Sequence, residues 1–124
     1  ISGPLLDRID LTIEVPALSA GELTAAEPGE ASAVVLQRVI AARARQLARQ
    51  GKINAELNST ELDHIAAIAP EAKAALAQML EKLSLSARSY HRILRVARTL
   101  ADLAEDSEVS RQHVLRAIGF RRAL

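Results

Sequence analysis

Residues 85–103 read LSARSYHRILRVARTLADL, and the fold turns on how they are read. Ser86 stands where a helix N-cap would, and Arg88 to Ala104 has the pattern of a long amphipathic helix running out into the acidic EDSE of residues 105–108. With successive side chains turned by about 100°, Arg88, Arg92 and Arg95 fall within roughly 60° of one another and Arg98 flanks them. Tyr90, Ile93, Leu94, Ala97, Leu100 and Ala101 gather on the other side. One face is suited to packing and the other presents guanidinium groups.

What can cover the apolar face is limited by composition. Of the 124 residues 49% are apolar but only 2% aromatic, so leucine, isoleucine, valine and alanine must fill the core. Small aliphatic side chains in a chain of one-domain length favour helix against helix over a sandwich or a barrel. The net charge of +1 and the pI near 8.4 do not make the whole chain an attractor of nucleic acid, so any basic function must come from local patterning. The absence of cysteine excludes disulfides, thiol nucleophiles and zinc–thiolate sites. No run of about 18 apolar residues and no basic-then-apolar leader appear, so no membrane span or signal peptide is expected, and a cytoplasmic setting is.

Elsewhere the chain alternates between helical pattern and punctuation. Leu11 to Val15 (LTIEV) alternates apolar with polar and stops at Pro16, which predicts a short strand whose sheet partners are missing. Residues 16–30, with Pro16, Gly21, Pro28 and Gly29, read as a linker. Ala31 to Gln50 predicts a long helix with Gly51 at its C-cap. After the connector INAELNST, Ser59 or Thr60 is placed to cap a short helix to about Ile68, and Pro70 opens a helix from Glu71 to Lys82. Ser110 caps a last helix through Ile118, before Gly119. The expected fold is therefore all-α: a bundle of four or five helices over residues 31–124, preceded by a strand remnant within residues 1–15 and a loop.

The arginine stripe admits two readings. It is a solvated face balanced by Asp102, Glu105 and Glu108, or it recognises an anion such as a nucleotide phosphate through planar, permanently charged donors. Arg88 is favoured for the second, because the first turn of a helix also directs backbone N–H groups outward and favours negative charge. His64, His91 and His113 lack the i, i+4 spacing of a metal site, so no metal site is expected. No phosphate-binding G-x-x-x-x-G-K-[ST] loop is present, and the chain by itself is expected to hydrolyse nothing.

The stretch GPLLDRIDL at residues 3–11, the strand and linker after it, and LSARSYHRILRVARTLADL together resemble the C-terminal part of AAA+ ATPases of the Mg-chelatase-like family. AARARQLARQGKINAEL at residues 41–57 adds to the resemblance. The resemblance covers essentially the whole chain and implies that ISGPLLDRIDLTIEVP ends an ATPase core, that residues from about Ala31 form the helical lid, and that the Walker motifs lie upstream of Ile1. Arg8, in PLLDR, then corresponds to the arginine finger reaching a nucleotide in the neighbouring subunit, and Arg88, in LSARSY, to the sensor 2 arginine of the lid. Arg92 is a further candidate phosphate contact. Arg95 and Arg98 take no role from the family.

The implied cofactors are ATP and Mg2+ in the whole protein, with no tight binding to this chain alone, which is expected to be monomeric. The implied partners are further copies in a hexameric ring and DNA, with no membrane. The block at residues 85–103 favours the competence-protein branch, a motor for branch migration during recombination of incoming strands. The alternative within the family is the ATPase subunit of a magnesium chelatase, which drives magnesium insertion into a porphyrin. A third reading is a stand-alone helix-turn-helix module using Arg111, Arg116, Arg121 and Arg122, and a fourth is an interaction scaffold without a ligand. Residues 1–30 are expected to be mobile, since the sheet for LTIEV is missing.

Overall fold

Ser86 accepts a hydrogen bond from the Ser89 amide through its Oγ, 3.3 Å, and starts the long helix of residues 87–103 as the sequence predicts. The computed structural model describes residues 3–6, 8–25 and 27–121. In chain order the helices are α1 (Gly3–Leu6), α2 (Ala20–Ala25), α3 (Ser32–Gln50), α4 (Ser59–Ile65), α5 (Pro70–Lys82), α6 (Ala87–Leu103) and α7 (Arg111–Arg121), with a 3₁₀ turn at Asn54–Glu56 between α3 and α4. The all-α class holds, and five of these helices lie beyond residue 31.

The helix ends show which local signals act. Gly51 takes φ 76° in the left-handed region and closes α3 with its amide on the Leu47 carbonyl, 2.9 Å, while Pro70 occupies the first turn of α5. Neither Ser59 nor Thr60 caps α4. Asn58 does, in a reciprocal box with Glu61, because its side chain and that of the residue three on satisfy each other's backbone amides at 2.9 and 3.0 Å. α4 stops at Ile65, short of Ile68, and α7 runs through Gly119 to Arg121. Ser110 caps α7 with help from His113, whose Nδ1 accepts from the Ser110 amide at 3.0 Å.

Two expectations before residue 31 are corrected. Leu11–Val15 forms no strand, since a strand needs a ladder partner, and Ile13 and Val15 are 69% and 85% exposed. The linker contains α2, whose first turn is closed by Ser19 Oγ accepting from the Glu22 amide at 3.1 Å. Arg8–Thr12 is also tied to the bundle: the Thr12 amide donates to the Phe120 carbonyl at the end of α7, 2.9 Å.

α6 is the central helix. Ile93, Leu94, Ala97 and Ala101 meet Val114, Ala117 and Ile118 of α7, Ala72 and Leu76 of α5, Leu62 of α4, and Leu57, Ala66, Ala69 and Val109 from the connections. Leu62, Leu76 and Ile93 are completely buried, and each such side chain contributes about 1.5–3 kcal/mol by leaving water. Alanine at the crossings lets the backbones approach closely. By contrast Val34, Val35, Leu36, Val39, Ile40 and Leu47 of α3 stay exposed; this helix meets the bundle through Ala42 and Gln46 in its second half.

Arg98 is not on the solvated face where helical periodicity put it. It is 1% exposed, because the connections at residues 66 and 106–107 close over it. Its guanidinium donates to the carbonyls of Ala66, Asp106 and Ser107 at 3.1, 2.8 and 3.0 Å and to Asp102 Oδ1 at 3.2 Å. Asp102, also 1% exposed, accepts from Arg49 at 2.7 and 3.1 Å and from Asn54 at 3.0 Å. Burial pushes the Asp102 carboxyl up, but the hydrogen bonds of Arg49 and Asn54 and the charges of Arg98 and Arg49 outweigh it, leaving the pKa below the ordinary 3.8.

Arg98→Met would leave three carbonyls and a buried carboxylate with lost partners, so urea denaturation should show a loss of about 3–5 kcal/mol. Because the folded pKa of Asp102 is depressed, its contribution is complete above the unfolded value and is lost as pH falls through the folded one. Stability should therefore drop below about pH 4, and Asp102→Asn should flatten that part of the acid profile while lowering stability at neutral pH. Within residues 11–15, hydrogen exchange should show the Thr12 amide slower than those of Ile13, Glu14 and Val15, which carry no such bond.

Candidate functional site

The four arginines of α6 differ in what surrounds them. Arg98 is enclosed, as described above. Arg95 is half-buried and donates from Nη2 to the Leu57 carbonyl at 2.9 Å, leaving its buried Nε without a partner. Arg92 reaches outside the bundle helices and donates from Nη1 to the Arg8 carbonyl, 3.2 Å, and to Asp10 Oδ1, 2.9 Å. Arg88, in the first turn, is exposed, and its side chain has no hydrogen bond or ion pair among the described residues. The stripe is thus a gradient from a structural arginine to an unengaged one.

Arg8 is the second unengaged guanidinium. Its amide donates to the Leu5 carbonyl at 3.0 Å, its own carbonyl is held by Arg92, and its side chain is exposed with no partner among the described residues. The next residues are held as well. Arg121 of α7 donates to the Ile9 carbonyl at 3.3 Å and to Ser89 Oγ at 3.4 Å, and the Asp10 carboxylate takes Arg92. Arg8 and Arg88 therefore flank the Arg92 contact, Arg88 one helical turn, about 6 Å, before it on α6.

Sequence reasoning singled out Arg8, Arg88 and Arg92, and the structure brings all three to one end of α6. It engages Arg92 with the chain itself. The partners Asp10 and Arg121 were not found from sequence. Asp10 is separated from Arg92 by 82 residues and Arg121 from Ile9 by 112, and no periodicity reports such distances.

The histidines lie at separate places. His91 Nε2 faces Asp63 at 3.1 Å, His113 Nε2 faces Asp106 at 3.1 Å, and His64 is exposed. Among the described residues no group of three or more metal-ligating side chains assembles, and no helix is long and apolar enough to cross a membrane. For the helix-turn-helix reading, Arg111 and Arg116 are exposed on α7, Arg121 is turned to Ile9 and Ser89, and Arg122 lies outside the described residues.

Two exposed guanidinium groups without a side-chain partner among the described residues are suited to receive an anionic ligand. Residues 29–121 match the family model described as magnesium chelatase, subunit ChlI C-terminal. The chain belongs to this family. It is 45% identical over 122 residues to the Competence protein ComM of Haemophilus influenzae, covering 98% of this chain and 24% of that protein. It is 44% identical over 122 residues to the protein YifB of Escherichia coli, itself described as uncharacterized, with the same coverage. A protein of Mycobacterium tuberculosis described as uncharacterized, Rv2897c, is 38% identical over 128 residues, 98% of this chain and 25% of that protein. The chain spans about a quarter of the length of these relatives. The resemblance read from the sequence, to the C-terminal part of a Mg-chelatase-like protein close to ComM, is thereby established.

If Arg8 and Arg88 serve a ligand, they should matter little to folding. Arg8→Ala and Arg88→Ala should each change stability in urea by no more than about 0.5 kcal/mol, in contrast with Arg98, about three turns further along α6.

Proposed function

We propose that this chain is the lid of a ComM-like AAA+ ATPase, with Arg88 as the sensor that contacts nucleotide phosphate and Arg8 as the finger presented to the neighbouring subunit of a ring. The observation that carries the reading is the pair of exposed, unengaged guanidinium groups at one end of α6, at the two positions that match the family's arginine motifs. A triphosphate fits this donor set, because each guanidinium offers a planar fork to phosphate oxygens and stays charged at any relevant pH. Arg88 adds its charge where the first turn of a 17-residue helix also favours an anion.

ATP would supply the phosphoryl group that is cleaved, and Mg2+ would neutralise its charge. Arg88 would bind and orient the phosphates from the lid. Arg8 would stabilise the charge that develops during transfer across the subunit boundary, a contribution on the order of 10³ or more in rate. The exposed apolar row of α3 supports the same picture, since Val35, Leu36, Val39 and Ile40 would be covered by the ATPase core. Closure and opening of the lid would then change angles around a hexameric ring in the cytoplasm. The relative named as a competence protein favours DNA as the substrate of that motor, with branch migration as its work.

The test is the ATPase rate of the intact protein as wild type, Arg8→Ala, Arg88→Ala and an equal mixture of the two, with ATP binding followed separately. Arg8→Ala should lose turnover by about 10³ and keep nucleotide binding. Arg88→Ala should weaken binding as well as turnover. The mixture should recover part of the rate, because some interfaces then pair an intact finger with an intact sensor. Wild-type rates in both variants would return the two arginines to the solvated surface.

A further inference from the structure

We infer that Arg92 is a positioning residue: together with Asp10 it locks the backbone that carries Arg8 to the same helix that carries Arg88, so that the lid and the finger move as one body. The inference rests on the reading of Arg8 and Arg88 given above. It adds a role for Arg92, Asp10 and Arg121.

Three consecutive residues beside the finger have an acceptor gripped by an arginine. The carbonyl of Arg8 and the carboxylate of Asp10 take Nη1 of Arg92 at 3.2 and 2.9 Å, and the carbonyl of Ile9 takes Nη1 of Arg121 at 3.3 Å. The Thr12 amide adds the bond to Phe120. Two helices, α6 and α7, thus fix the main chain of residues 8–12, and the Arg8 side chain is left outside the clamp. A guanidinium held by its own backbone alone would sample many positions; one whose backbone is fixed in this way starts near the geometry it must reach.

Arg92 serves both acceptors from one nitrogen, Nη1. The donor must serve a carbonyl and a carboxylate two residues apart in the chain, while its stem lies along a helix of another part of the fold. The Arg92–Asp10 pair is only partly buried, with side chains 25% and 42% exposed, so it does not hold the bundle together. Its loss should release residues 8–12 and leave the core in place. Arg88 lies one turn away on the same helix, and a pull on it by phosphate is therefore transmitted to the Arg8 backbone through α6 and Arg92, without a flexible joint between them.

The role differs from a direct phosphate contact by Arg92, and the difference is measurable in the intact ATPase. Asp10→Asn touches no phosphate in either account. If Arg92 positions the finger, Asp10→Asn and Arg92→Gln should each lower kcat about tenfold with the KM for ATP within about twofold, and the double variant should be no worse than either. The exchanged pair Asp10→Arg with Arg92→Asp should restore part of kcat. Mixed with Arg88→Ala subunits, Asp10→Asn subunits should recover rate as Arg8→Ala subunits do, which a general loss of structure would not give. In the 124-residue chain, exchange at the Thr12 amide should quicken in Asp10→Asn while the amides of α6 and α7 do not.

Unchanged kcat in Asp10→Asn, or a rise in KM confined to Arg92→Gln, would overturn the inference and leave the finger reading standing. Wild-type turnover in Arg8→Ala would remove the finger reading and this inference with it. Unaltered Thr12 exchange in Asp10→Asn would show that the clamp does not hold the segment.

Discussion

The ion pair between Arg98 and Asp102 is the interaction on which the rest of the bundle depends. A guanidinium and a carboxylate at 3.0 Å, each 1% exposed, can exist inside a small protein only if every donor and lone pair has a partner. The partners found are the ends of four other elements: the Ala66 carbonyl after α4, the Asp106 and Ser107 carbonyls before α7, Arg49 from α3, and Asn54 from the 3₁₀ turn. The pair therefore acts as a polar hub joining connections that apolar contacts alone would leave free to slide. A parallel bridge between Ile68 and Val109 ties the same two connections together, and Ala67, beside it, sits at φ 48° in a region that costs a non-glycine residue about 1 kcal/mol or more. That conformation is maintained because the hub and the bridge fix both sides of it.

With its second half fixed in this way, α6 can use its first half for something else. The same residue type appears at Arg88, Arg92, Arg95 and Arg98, and what each does is set by how much protein surrounds it. Toward the C-terminal end the connections at residues 66 and 106–107 close over Arg98, and arginine becomes internal structure. Toward the N-terminal end the arginine side meets the extended segment 8–12, and arginine first becomes a clamp and then an unengaged charge. The enclosed and the exposed arginine of one helix, Arg98 and Arg88, are thereby separated by about three turns.

Much of this fold was legible in the sequence where the signal is local. Ser86, Ser110, Gly51 and Pro70 each mark a helix end by a mechanism that needs only neighbouring residues, and all four act as predicted. Three expectations failed, each for a different reason. Asn58 outcompeted Ser59 and Thr60 for the cap because Glu61 stands three residues on, a pattern present in the sequence and read one residue late. Arg98 was placed on the solvated side because periodicity assigns a helix one buried face, whereas α6 is covered on two sides over its second half. LTIEV has the alternation of a strand, and alternation cannot supply the ladder. At the site, Arg8 and Arg88 were reached through motif and first-turn position, but Asp10 and Arg121 act across the whole length of the chain and leave no local trace.

The contacts at residues 8–12 differ in kind from those of the hub, and the difference bears on how the two parts can respond. The hub is dry, so screening by salt hardly reaches it, and removing one member leaves a buried charge. The clamp is built from partly exposed groups and backbone carbonyls, so each contact is individually weak and none leaves an unsatisfied buried group when it opens. Substitution in the clamp therefore leaves the core undisturbed, whereas substitution in the hub does not. α6 contains both, the clamp at Arg92 toward its N-terminal end and the hub at Arg98 and Asp102 in its second half, so that the packing of the bundle and the fixing of residues 8–12 depend on different side chains of one helix.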